Sequence, residues 1–310
     1  VKALPSYKGI SMEITDKMKV FLEEHGGQGT KEIPEEIMTE FLDGCKSAFE
    51  SVFVKSEFKF PRPSSLNHGG RKMYYMKNEP ELFTGEKLPY NLRNTFFQGH
   101  MLEAYFIAVA KMSGIKFDAV QKYTEWETTS GTVGGTLDYI IDGQVWDAKT
   151  ANDRAYISKW KNVDTLESQD SYGYIRQGTV YSNAEQLPFA GWHVINKNTG
   201  VWKTIKADNI DFVGEANALE HSLEQAFGEE IPPVCHNPIA EVYRPRGKKP
   251  IVTGNKHLTT TCTNCPVRKA GKCSPAPIVA VGKRSSGNEV LYTEWNNDAN
   301  PNIKVKICGN

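Results

Sequence analysis

Asp138, Asp147 and Lys149 are the residues whose types and spacing most directly suggest chemistry. They lie in the stretch 134–149, where two apolar-rich runs flank Asp142-Gly143, the strongest short hairpin signal. With Asp142-Gly143 as a two-residue loop, Ile141 pairs with Gln144 and Asp138 falls directly opposite Asp147. Opposed side chains share a face, with Cβ atoms about 5 Å apart. Lys149, two residues beyond Asp147, lies on that face too. Like charges so placed repel unless something neutralises them. A hard divalent cation with oxygen ligands would do so. Lys149 would then orient or help deprotonate a water, or stabilise a phosphate in the transition state. A solvated hairpin with three charges on its polar face is the competing reading of these residues alone.

Neighbouring segments supply further candidates. The spacing predicts a helix over Asn94–Lys111, with Asn94 as N-cap and Gly114 past its end. Phe97, His100, Ala104, Ile107, Ala108 and Lys111 line one face of it, and His100 with Glu103 forms an i, i+3 pair. Taken alone, His100 is a hydrogen-bonded core histidine. A strand is expected over Val120–Glu127, with Glu125 and Glu127 solvated. The polar stretch through Asp170 reads as a loop or short helix. It carries Arg154, Lys159, Trp160 and Lys161, a mixture compatible with single-strand stacking, although Trp160 suits packing better. A helix over Tyr172–Leu187 puts Tyr174, Gln177 and Tyr181 on one side.

Asp138, eight residues, then Asp147-Ala148-Lys149 resembles the core motif of the PD-(D/E)XK nuclease superfamily. Gly135-Thr136-Leu137-Asp138 is similar to its RecB-like and Cas4-like exonuclease branch. So are Ser64-Ser65-Leu66 with Arg71-Lys72-Met73-Tyr74-Tyr75, Gly99-His100-Met101-Leu102-Glu103, and Gln177-x-x-x-Tyr181. Their order matches that branch over about residues 60–205. The resemblance implies phosphodiester hydrolysis with Mg²⁺ or Mn²⁺. His100, Asp138, Asp147 and the Ala148 carbonyl would hold metal, Lys149 would position water, and Gln177 and Tyr181 would orient Lys149 or the strand. Glu103 would be supporting, and Arg71 and Lys72 would contact DNA phosphate.

The chain has 310 residues and zero formal net charge, so any nucleic-acid surface must be local. No run approaches the roughly 18 apolar residues of a membrane span, and no signal peptide is visible. A cytoplasmic protein is expected, in the host cytoplasm if phage-encoded, with no membrane partner. Three segments are expected: 1–58 helical, 59–228 the nuclease core, and 229–310 a basic cysteine-containing tail. Within the first, Ile37, Phe41, Cys45, Phe49 and Phe53 recur every four residues, and Cys45 reads as a core thiol. Strands around 196–200 and a helix over Asp211–Phe227 complete the core.

From Val242 to Asn288 there are ten Lys/Arg and no Asp/Glu. Arg244, Arg246, Lys248 and Lys249 are its candidate DNA contacts. Within it, Cys262-x-x-Cys265 with Cys273, and Cys235 upstream, suits zinc or an iron–sulfur cluster. The resemblance implies a [4Fe-4S] cluster, with structural Zn²⁺ as the alternative. Gly69 stands where many iron–sulfur members carry a cysteine, and Cys235 is its candidate replacement; His236, His257 and Cys308 are further substitutes. The expected fold is α/β, a central mixed sheet flanked by helices with an N-terminal helical region and a C-terminal cysteine-stapled subdomain. The expected function is a metal-dependent DNA exonuclease acting in recombination, repair or phage DNA processing, with recombination or replication proteins as possible partners. The alternative is a non-catalytic DNA-binding metalloprotein that uses the tail.

Overall fold

A computed structural model describes residues 13–29, 31–54, 59–84, 90–243, 249–284, 288–296 and 303–308. The helices are α1 (Ile14–His25), α2 (Glu35–Phe53), α3 (Gly70–Asn78), α4 (Glu81–Thr84), α5 (Tyr90–Met112), α6 (Asp153–Ile157), α7 (Val163–Gln169), α8 (Tyr174–Glu185), α9 (Phe212–Phe227), α10 (Thr260–Thr263) and α11 (Pro266–Lys269). The strands are β1 (Ala119–Thr128), β2 (Gly131–Ile141), β3 (Gln144–Ala151), β4 (Phe189–Asn196), β5 (Trp202–Lys206), β6 (Ile239–Tyr243), β7 (Ile251–His257), β8 (Ala280–Arg284), β9 (Glu289–Glu294) and β10 (Ile303–Ile307). The chain divides into two units, 1–67 with 86–221, and 68–85 with 222–310. No helix among the described residues is long and apolar enough to cross a membrane.

The first unit is α/β. Its mixed sheet runs β1-β2-β3-β4-β5, antiparallel except for the parallel β3–β4 pair. Asp142 and Gly143 both have positive φ, 51° and 67°, which matches the right-handed twist of a two-residue hairpin. Ile141 pairs with Gln144 and Tyr139 with Trp146, the register expected from the turn. Each sheet face buries its own layer. Phe106, Val109 and Ala110 of α5 and Met18 of α1 cover one face. Trp160, Leu166 of α7, and Ile175 and Tyr181 of α8 cover the other.

His193 of β4 is fully buried in the first of these layers. It stacks 4.5 Å from Trp146 and 5.2 Å from Phe106, and its Nδ1 lies 2.7 Å from the Tyr139 hydroxyl.

Several expectations are corrected by packing. Helix α5 begins at Tyr90, so Asn94 lies inside it. Its buried positions are Phe106, Ile107, Val109 and Ala110. The expected face instead lines a cavity of about 610 Å³ with α2, through His100, Ala104, Ile107, Ala108 and Lys111. On α2 only Ala48 is buried; Cys45 is half-buried, and Phe49 and Phe53 are exposed. Periodicity located that helix correctly but overstated its burial. Trp160, by contrast, is 2% exposed and packs in the core, the reading its sequence context favoured. Helix α8 begins at Tyr174, because the Asp170 carboxylate accepts the N–H groups of Gly173 and Ile175 at 2.9 Å each.

The second unit holds its own antiparallel sheet, ordered β10-β8-β9-β7-β6. The sequence points to a basic, cysteine-stapled tail here and gives no sign of a sheet. The structure gives it two small apolar clusters around Leu291 and Tyr292. It also buries Glu241, whose carboxylate accepts from Thr253 at 2.8 Å, Asn255 at 2.9 Å and Tyr292 at 2.7 Å.

Burial pushes the pKa of His193 from 6.5 to about 3. Between those values the unfolded chain binds a proton that the folded chain refuses, so this residue costs stability as pH falls. Its contribution should fall by about 1.4 kcal/mol per pH unit below about pH 6. Urea unfolding at pH 7, 6 and 5 should show that slope in the wild type and its loss in His193→Phe. Equal slopes in both would exclude His193 as the acid-sensitive group.

Candidate active site

The hairpin ladder ends at Tyr139–Trp146, one pair short of the two aspartates. There the Asp138 side chain takes over from the backbone: the Ala148 N–H donates to its Oδ2 at 2.6 Å. On the other edge of β2, the β1 register skips one pair, Gln121 opposite Asp138, where Gln121 has φ 49°. The β2 backbone is therefore irregular at Asp138 on both sides. Pro63 and Tyr181 explain the glycine three residues earlier. A Cβ on Gly135 would lie 2.7 Å from the Pro63 ring and 3.4 Å from Tyr181 Cε1.

Asp147 is 1% exposed, and neither of its oxygens makes a well-oriented hydrogen bond. Its charge partner is Lys149, whose Nζ lies 2.5 Å from Oδ2. Burial pushes Asp138 well above the usual carboxylate range, and the Glu103 and Asp147 charges push it further. Burial also raises Asp147, while Lys149 pulls it back. Burial would lower Lys149, but the Asp147 and Asp138 charges outweigh it and hold the ammonium protonated. Burial thus disfavours charge on both carboxyls, and the Lys149 ammonium is the cation that answers it.

Two side chains on α8 support this group. Tyr181 donates to the Thr136 carbonyl at 2.8 Å and so fixes β2 two residues before Asp138. Gln177 Nε2 stands 3.5 Å from the Tyr181 hydroxyl, at the limit of a hydrogen bond. Burial keeps Tyr181 neutral by raising its pKa, and the aspartate charges add to this.

His100 is more peripheral than the resemblance implied. Its Nδ1 lies 3.9 Å from Glu103 Oε2, and its side chain is 57% exposed. Glu103 raises its pKa, although burial opposes this. Glu103 itself is closer to the centre than expected. It supplies the largest charge effect on Asp138 and accepts a hydrogen bond from the Gln121 amide. The His100/Glu103 spacing hinted at Glu103; nothing local in the sequence marks Gln121. Glu125 and Glu127 are exposed and bonded to Tyr123 and Thr132. The contact seen at Ala148 is its N–H on Asp138.

In the second unit, Cys235, Cys262, Cys265 and Cys273 line one small cavity of about 20 Å³ with His68, Gly69, Lys72, His236 and Arg268. A Cβ on Gly69 would lie 2.8 Å from Cys235 Sγ, so that thiol already fills the space beside position 69. The Cys262–Cys265 turn is closed by Cys265 N–H on Cys262 O at 3.2 Å. Arg268 braces it, donating to the Cys262 and Thr263 carbonyls at 2.9 and 2.8 Å. Burial lowers the Lys72 pKa against the opposing pull of Cys265, Cys235 and Cys262. Among the described residues, no three His, Cys, Asp or Glu side chains stand ready to hold a metal ion. Lys72 thus lines the cavity, 2.9 Å from His68 Nε2, and Arg71 is half-buried in the same helix. Lys249 is exposed; Arg244, Arg246 and Lys248 lie outside the described residues. His257 bonds the Leu258 carbonyl at 2.8 Å, and Cys308 is exposed.

No protein-family model and no curated protein matches the chain. Among solved structures, one titled "Crystal structure of SSO0001" is similar at 13% identity, over 75% of this chain and 94% of that one, with a TM-score of 0.38.

Proposed function

We propose that the first unit is a metal-dependent nuclease of the PD-(D/E)XK type, hydrolysing phosphodiester bonds in DNA. The observation that carries this reading is the buried Asp147 carboxylate beside the half-buried Asp138 at the end of the hairpin, with Lys149 2.5 Å from Asp147. An anionic pair so buried calls for positive charge. Lys149 supplies one unit, and Asp147 still lacks well-oriented donors. Hard oxygen donors, raised carboxyl pKa values and a neighbouring Glu103 fit Mg²⁺ or Mn²⁺. Asp138 and Asp147 would hold the ion, with Glu103 or His100 at its margin. When bound, such an ion supplies Lewis-acid polarisation of the phosphate and a more acidic water.

The chain's own residues do the remaining work. Lys149, kept protonated by the aspartates, donates to the attacking water or to a phosphoryl oxygen and favours the anionic transition state. Tyr181 keeps β2, and with it Asp138, in place through Thr136. In the second unit the four thiols would hold a [4Fe-4S] cluster or a zinc ion as a structural staple. Lys72 and Arg268 would offset its negative charge.

Three measurements test this reading. Lys149→Ala should lose at least about a hundredfold in Mn²⁺-dependent cleavage of linear DNA while keeping its circular dichroism spectrum; turnover within a few-fold of wild type would remove Lys149 from the mechanism. Asp147→Asn should be inactive and, in EDTA, should melt several degrees below wild type, since the buried Lys149 ammonium loses its nearest charge partner. Mn²⁺ should raise the wild-type Tm and leave that variant's unchanged; equal Mn²⁺ shifts would mean the ion binds elsewhere. Cys235→Ala should lose the bound metal of anaerobically purified protein. Broad absorbance near ~400 nm in the wild type would mark iron–sulfur, and one colourless zinc per chain the alternative. Full metal content in Cys235→Ala would take Cys235 out of the centre.

A further inference from the structure

Beside Lys149 lies a group of rings that the hydrolytic chemistry does not use. The Tyr174 ring is 5.6 Å from Lys149 Nζ. Tyr172 stacks on Tyr174, with centroids 5.7 Å apart and planes within 19°. Lys159 Nζ sits 4.5 Å from the Tyr172 ring and 4.9 Å from the Tyr174 ring. Trp160 backs Tyr174 from the core at 5.1 Å. At the other end of the series Tyr172 is 66% exposed.

The segment carrying Tyr172 is held firmly. Asp170 caps α8 through the N–H groups of Gly173 and Ile175. Asn67 Nδ2 donates to the Ser171 carbonyl at 3.0 Å. Packing does not demand a large ring at a position this open. A rigid aromatic pair with an ammonium over its rings is, however, what an unpaired base with its phosphate fits. The base gains stacking, and the cation meets the backbone charge.

We propose that Tyr172, stacked on Tyr174 and flanked by Lys159, is a base-stacking platform that seats an unpaired nucleotide of a DNA strand next to Lys149. The proposal rests on the nuclease reading of the same site and specifies its substrate as a single-stranded or frayed DNA end. Stacking tolerates any base, so the platform sets strand state and position rather than sequence. Burial on this surface also lowers the Lys159 pKa, which marks its ammonium as partly desolvated before any ligand arrives.

The test uses the full-length Asp147→Asn protein, which would bind without cutting, and a single-stranded oligonucleotide carrying 2-aminopurine. Binding should quench the fluorescence. Adding Tyr172→Ala should weaken binding at least about fivefold and abolish the quench, whereas Tyr172→Trp should keep both. An abasic nucleotide scanned along the strand should reveal one position at which Tyr172→Ala costs nothing more. Unchanged affinity and quench in Tyr172→Ala, or equal losses on blunt duplex and single strand, would overturn the platform. The exposure of Tyr172 predicts an unchanged Tm for the variant, so a loss of binding cannot be put down to unfolding. Cleavage by the wild type with Mn²⁺ reads the other half separately. Cleavage without a Tyr172 effect sinks the platform alone, and a Tyr172 effect without cleavage sinks the nuclease reading alone.

Discussion

Asp147 is buried with Asp138 half-buried beside it, and much of the first unit is fitted to that fact. Removing each carboxylate from water costs several kcal/mol unless charge or hydrogen bonds replace the solvent. Lys149 replaces part of it from the same strand, and the Ala148 N–H replaces another part. Glu103 works in the opposite sense and makes the group more negative. An arrangement selected for stability alone would not add a third acid there. The excess of acidic groups is thus the property to explain, and the proposed divalent cation would answer it.

The part of this site that could be read from sequence is the part that local geometry determines. Asp142-Gly143 sets a two-residue turn, the turn sets the register, and the register brings Asp138 and Asp147 together just beyond its last pair, Tyr139–Trp146. Gln177 and Tyr181 follow from helical spacing in the same way. Glu103 and Gln121 were less legible, because their meeting depends on how α5 lies on β1, a tertiary relation without a periodic signature. The same limit misplaced the aromatic residue of interest. Trp160 stood out as an aromatic among cations and is core, as packing suggested, whereas Tyr172 looked like the start of a helix and lies exposed just before it. On α2 the four-residue repeat was real, but the partners needed to bury Phe49 and Phe53 are not supplied by the described residues. The second sheet escaped notice because its strands are short and its apolar clusters small, and its edge strand β6 carries a buried carboxylate, Glu241, in place of an apolar residue.

The cysteines show how far spacing reaches. Cys262 and Cys265 are recognisable as a pair, and their turn is indeed closed and braced by Arg268. Cys235 is 166 residues from Gly69 in the chain and yet occupies the space beside it. Only folding discloses that neighbourhood. It also turns Lys72, which sequence reading assigned to DNA, toward the thiols.

The short link between the aspartates has a kinetic consequence. Asp138 and Asp147 are joined through a two-residue turn, and such hairpins close in microseconds. The parallel partner strand β4 returns only after α6, α7 and α8, and pairings across that distance are slower. The two carboxylates therefore meet while still hydrated, and the arrival of α8 and β4 is the step that strips their water away. The electrostatic cost of the site accordingly falls on the docking of the crossover and not on the hairpin. Partial opening that lifts α8 while sparing β2 and β3 would return those charges to water at the least cost in backbone pairing, which makes α8 the natural first element to detach from the native fold.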